Sequence, residues 1–127
     1  MRGGLLRRVD LEEQHLVIQL TGLTMVEALQ GRLVIPYANI IRVHQSLVVP
    51  PLLRVGGTTL GPIHEGHYVG DQGWYFLSYE DPSRVVTLDL ADYHLGRQLY
   101  KGVAIEVDDP ETFAEALQNR LDTTRNA

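Results

Sequence analysis

"GVAIEVDDPETFAEALQNRLD", residues 102–122, holds a strand and a helix back to back, and the change of period between them decides the fold. Over 102–108 the side chains alternate, with Val103, Ile105 and Val107 on one face and Glu106 and Asp108 on the other. That is the period of a half-buried strand. From Asp109 onward the period lengthens. Phe113, Leu117 and Leu121 recur every four residues, flanked by Ala114 and Ala116, and so form one apolar helical stripe. Asp109 stands where an N-cap belongs, its carboxylate free to accept from orphan amides, and Pro110 takes the first helical position, where a missing N–H costs nothing. Glu111 near the helix start and Arg120 near its end both suit the helix dipole. The stripe must dock on something, and the strands upstream supply it.

Working outward, the same alternation recurs. In "VVTLDLA" (85–91) Val86, Leu88 and Leu90 face inward while Thr87 and Asp89 face water. In "HLVIQLT" (15–21) Leu16, Ile18 and Leu20 share a face. "GWYFLSYE" (73–80) is aromatic-rich, as strands favour. "RLVIPY" (32–37) and "IIRVHQ" (40–45) complete the set, with "GHYV" (66–69) a weaker strand. The links "VGDQG" (69–73) and "EDPSR" (80–84) are hairpin connectors. No helix-length pattern separates the later strands, so the sheet there is expected to be antiparallel. The predicted fold is mainly β with a C-terminal α-helix: a sheet pair or partly open antiparallel barrel of about seven strands around one core. "GLTMVEALQG" (22–31) fits a short helix near residues 23–30, capped by Thr24 and stopped by Gly31, and also fits a strand; helix is the preferred assignment. The domain is expected to span 15–122, between an N-terminal arm (1–14) and a tail (123–127).

At 127 residues the chain has the size of one domain with one core. It contains no cysteine, which excludes disulfides, thiolate metal sites and a cysteine nucleophile. The longest apolar run, "LVVPPLL" (47–53), is broken by two prolines and is far short of a membrane span. The start of the chain lacks the apolar core of a secretory signal, so a cytoplasmic location is expected. The net charge of −5 is uneven: residues 1–60 carry six basic and four acidic side chains, residues 61–127 five and twelve. Nucleic acid and anionic membranes call for clustered Lys and Arg, so neither is an expected partner. Arg2, Arg7 and Arg8 make a small basic patch, taken as a solvated arm.

About seven strands closed by one amphipathic helix resemble the layout of a pleckstrin-homology barrel. "ALQGRLVIPYANIIRV" (28–43) resembles the segment of bacterial pleckstrin-homology-like proteins in which a short strand ends in proline and leads into an isoleucine-rich strand. "VGGTTLGPIHEGHYVGDQGWYFLSY" (55–79) is similar to their glycine-studded central loop and aromatic strand, and "VVTLDL" and "GVAIEVDDPETFAEAL" to their last strands and closing helix. The resemblance covers residues 15–122 and implies a fold, with no active-site motif to carry over. Members that bind inositol phosphates use a basic cluster between early strands. Here residues 19–33 hold one arginine, Arg32, beside Glu27, so phosphoinositide binding is not expected.

"IHEGHYVGDQGWYF" (63–76) raises the one metal question. His64 and His67 are three apart, and in a strand such side chains face opposite ways; they converge only if Glu65-Gly66 turns. The spacing does not match a zinc peptidase helix, and the stretch is read as a turn between strands. A small metal-dependent β-barrel enzyme or metal sensor using His64 and His67, with Glu65 or Glu80, and with His94 as a candidate third histidine, is the alternative function. Ser46, Ser78 and Ser83 lie in no nucleophile-elbow pattern. No catalytic residue, cofactor or metal is therefore assigned. In the aromatic strand Trp74, Phe76 and Ser78 share one face, and Tyr75, Leu77 and Tyr79 the other. Both faces are too apolar for open water, so the second is covered either by the central loop or by another chain. Tyr75, Leu77 and Tyr79 are accordingly the candidate interface residues. The expected function is that of a non-enzymatic protein-interaction or self-assembly module, a homo-oligomer that docks a protein segment on a sheet edge or groove.

Overall fold

The computed structural model describes residues 7–21 and 31–126, without the side chain of residue 60. Among the described residues nine strands precede one helix: β1 Arg7–Leu11, β2 His15–Leu20, β3 Arg32–Pro36, β4 Ile40–His44, β5 Leu53–Leu60, β6 Ile63–Gly70, β7 Gly73–Tyr79, β8 Val85–Leu95, β9 Gln98–Glu106 and α1 Pro110–Arg125. They form two sheets, one of three strands ordered β1-β2-β3 and one of six ordered β4-β8-β9-β7-β6-β5. The fold is thus mainly β with a C-terminal helix, built as a sheet pair that does not close into a barrel. The possible helix near residues 23–30 lies outside the described residues.

The main core forms where the two sheets and the helix meet. Leu16, Ile18, Leu20, Leu33 and Ile35 come from the small sheet, and Phe76, Val86, Leu88, Leu90, Val103 and Ile105 from the large one. Leu117 and Leu121 of α1 complete it, so the four-residue stripe does bury itself, with Ala114 beside it. The helix begins as its sequence dictates: the Asp109 carboxylate accepts from the backbone amide of Thr112 (3.2 Å) and from its hydroxyl (2.8 Å). These bonds hold the Asp109 carboxyl below its ordinary range. At the far end Arg125 donates to the Ile40 carbonyl (2.9 Å), tying the helix to β4.

Three sequence expectations are corrected. The large sheet is not wholly antiparallel: β7 and β9 run parallel, because β8 turns back through the tight hairpin around Gly96 and delivers β9 between β8 and β7. Neither a long crossover helix nor a sequence signal accompanies that step. Residues 7–11, expected in a solvated arm, pair with β2 along their whole length. Val9 and Leu11 pack on the core, and Arg7, in phase with them, is buried. Thr87 does not face water either. It is fully buried, accepting from the Val48 amide (3.0 Å) and donating to the Ser46 carbonyl (2.7 Å).

All six tyrosines are buried, and burial raises every one of their hydroxyl pKa values, that of Tyr100 to about 12. A group whose folded-state pKa lies above its unfolded value of about 10 contributes stability that is complete below that value and lost as pH rises through the folded one. Stability is therefore expected to hold up to about pH 10 and to fall between about pH 10 and 12. Tyrosinate absorbance followed against pH should rise late and together with unfolding. Ordinary, independent titration of all six near pH 10 in a still-folded protein would contradict this.

Candidate functional site

His64, Glu65 and His67 do not sit in a turn. "IHEGHYVG" is strand β6, paired on both sides, with β5 and with β7. The two imidazoles consequently face opposite ways. His64 stacks on Tyr79, ring centroids 4.8 Å apart and planes nearly parallel, while His67 approaches Phe76 and meets the Tyr100 hydroxyl through Nδ1 at 2.6 Å. They cannot share one ion in this arrangement. Glu80 follows the last residue of β7, and exposed His94 lies in the β8–β9 hairpin, opposite Leu99. Among the described residues no group of three His, Cys, Asp or Glu side chains is arranged to hold a metal. What lets β6 run straight through "HEGH" is glycine. Gly66 opposite Gly57 lets the two backbones meet so closely that either Cβ would fall within 2.1 Å of a carbonyl oxygen.

The face bearing Tyr75, Leu77 and Tyr79 is covered within the chain. Residues 45–52, between β4 and β5, cross it and place Leu47, Val49 and Leu52 on a second core of Tyr68, Tyr75, Leu77, Tyr79, Val85 and Ala104. Thr87 fastens this strap through Ser46 and Val48, and His44 beside it pairs with Asp89 (Nε2 to Oδ2, 2.9 Å). The ring of Tyr75 lies on Gly102, where a methyl group would meet it at 2.8 Å. Tyr75 is therefore a packing residue inside the chain. Leu77 and Tyr79 also line a groove of about 500 Å³ that opens toward β5, between Val49, Pro50 and Leu52 on one side and His64 and Tyr68 on the other. Tyr68 and Thr59 share a hydrogen bond across its floor. The groove ends at β5, the outermost strand of the large sheet, where Leu53 is 71% and Val55 56% exposed.

Of the serines, Ser83 bonds to Asp81 in the β7–β8 turn, and Ser46 lies in the strap. Ser78 belongs to a buried polar network that was not anticipated. Its hydroxyl donates to Glu65 Oε1 (2.7 Å), and Arg7 donates to both, Nε to Ser78 Oγ (2.8 Å) and Nη2 to Glu65 Oε2 (2.8 Å). The Arg7 and Glu65 side chains are 1% and 0% exposed. Glu106 extends the network: it accepts from the amides of Glu80 and Asp81 and from Arg84 Nη2 (2.7 Å), and its Oε1 lies 4.0 Å from Arg7 Nη1. Two arginines face two glutamates, so the formal charge of the four is zero, the condition under which buried charge is tolerated. The signal was present in the alternation. Arg7 is in phase with Val9 and Leu11, Ser78 with Trp74 and Phe76, and Glu65 stands opposite Ser78 in the β6–β7 register. Polar groups on three inward-facing strand positions require one another.

Set against protein-family models, curated proteins and solved structures, the chain matches none. No helix among the described residues is long and apolar enough to cross a membrane.

Proposed function

We propose that this chain is a non-catalytic, cytoplasmic self-assembly module of the pleckstrin-homology-like kind, in which β5 of one copy adds antiparallel to β5 of a second. The observation that supports it is the exposed edge. Strands at sheet edges are ordinarily blunted by lysines, prolines or inward-pointing charges, because unpaired backbone groups recruit other strands. Residues 53–60 carry a single charged side chain, Arg54, and its guanidinium is turned back onto the Gly57 carbonyl (2.7 Å). Leu53 and Val55 stand beside it in the open, next to the groove that Leu77 and Tyr79 line. Main-chain pairing would supply affinity, and an aliphatic side chain seated in the groove would supply register. Two-sheet architecture with a closing amphipathic helix suits a pleckstrin-homology-like assignment; the open sheet pair and the parallel β7–β9 pair are where this chain would depart from it.

Sedimentation equilibrium tests the proposal. The protein is expected to dimerise, and Val55→Lys to weaken the dimer at least about tenfold, since a charge buried at a sheet edge is poorly tolerated. Ile41→Lys, on the exposed β4 edge at the other side of the same sheet, should leave the dimer unchanged. A monomer at every accessible concentration, or a dimer indifferent to Val55→Lys, overturns the proposal.

A further inference from the structure

The groove of about 500 Å³ beneath the strap holds polar groups that β5 pairing does not use. Tyr79 is 6% exposed, and its ring is fixed by stacking on His64. Its hydroxyl has no hydrogen-bond partner among the described residues. Among those residues the partnerless polar atom sealed from water is Arg7 Nη1, so the Tyr79 hydroxyl is open, and the space that Tyr79 borders is the groove. An unmet donor on an otherwise buried side chain calls for an acceptor. Tyr68 and Thr59 add a second donor, because their shared hydrogen bond uses one of two O–H protons and leaves the other to be given away. Burial raises the pKa of both phenols, which keeps them donors at neutral pH.

The charge of the groove has one sign. Arg54 lines it, and among the described residues that do so none is acidic, in a chain whose net charge is −5. The guanidinium gives Nη1 to the Gly57 carbonyl and is close enough to act on the Tyr68 hydroxyl, where it works against the effect of burial. The strap residues Val49, Pro50 and Leu52, with Leu77, make the remaining wall aliphatic.

We propose that this groove binds an aliphatic monocarboxylic acid of medium chain length. The carboxylate accepts from the Tyr79 hydroxyl and from Arg54, and the hydrocarbon lies along the strap. An amine of the same length would meet Arg54 with like charge, an alcohol would leave the guanidinium unmatched, and a short acid would leave the aliphatic wall wet. The site is complete within one chain and does not depend on β5 pairing. The acid and a side chain of a second copy would occupy the same groove in turn.

Calorimetric titration with octanoate, propionate, 1-octanol and octylamine tests this, on the wild type and on Val55→Lys, whose residue 55 does not line the groove. Octanoate is expected to bind both proteins saturably, about tenfold or more tighter than the other three compounds. Binding by Val55→Lys separates this proposal from the fate of the dimer. Tyr79→Phe removes one oxygen and keeps the ring on His64; it should weaken octanoate about tenfold, and the exposed change Arg54→Gln should do the same. Absence of saturable octanoate binding in either protein, any of the other three compounds binding as tightly, or indifference to Tyr79→Phe overturns the proposal.

Discussion

Replacing Arg7 with methionine is expected to remove about 3–5 kcal/mol of unfolding free energy, the usual cost of leaving a buried charge without its partner. Glu65 is fully buried, and Arg7 meets it as an ion pair at 2.8 Å. The methionine would fit the stem of the arginine but bring no charge, and Ser78 would lose a donor at the same stroke. Urea denaturation followed through Trp74 fluorescence gives the number. The double change Arg7→Met with Glu65→Leu should recover most of the loss, since an apolar pair of similar volume often replaces a buried ion pair without penalty. If the single change cost less than about 1 kcal/mol, the pair would be behaving as a surface salt bridge and the description of a dry network would fail.

The second large effect is expected at Gly66. Its φ is +136° and the facing Gly57 has φ +106°, both in territory that side chains avoid. An alanine methyl at 66 would lie 2.1 Å from the Gly56 carbonyl oxygen and 2.7 Å from the Gly57 Cα, with no flexible side chain to yield. Strands β5 and β6 would have to part. Gly66→Ala should therefore cost about 4 kcal/mol or more, in the range that marks a steric or strain failure. Gly61→Ala is the control: φ is +56°, nothing lies within 4 Å of a methyl there, and the cost should stay near 1 kcal/mol. Because Gly66 adjoins Glu65, Gly66→Ala and Arg7→Met should be less than additive when combined. Equal costs at Gly61 and Gly66 would contradict the close approach.

The elements that were legible in the sequence are those whose period was unbroken. Val86, Leu88 and Leu90 in β8, Val103 and Ile105 in β9, and the capped helix from Pro110 all stand where their spacing put them. Illegibility had physical causes. The "HEGH" stretch carries the turn residue glycine, yet here glycine serves the crossing of two backbones, which depends on Gly57 nine positions earlier. Thr87 is polar and in the outward phase, but the strap that buries it comes from residues 46–48, with no periodic pattern to announce it. Arg7 was assigned to water because charge near a chain end is usually solvated, whereas its partners lie 58 and 71 residues away. The candidate interface face was recognised as too apolar for solvent. That the strap covers it is a fact of chain path, and the β5 edge beside it became visible only once strand order was known.

The position of β9 bears on how the protein is made. β9 is the last strand, yet it lies between β8 and β7 and joins β4-β8 to β7-β6-β5. During synthesis the ribosome therefore releases two unconnected half-sheets, and neither acquires its central neighbour until residues 98–106 have emerged. Their inner faces, rich in leucine, valine and tyrosine, wait in the open for the length of that interval. Folding is thus expected to be late and all at once instead of progressive along the nascent chain. The growing polypeptide has its greatest need of a holding chaperone just before residues 98–106 emerge.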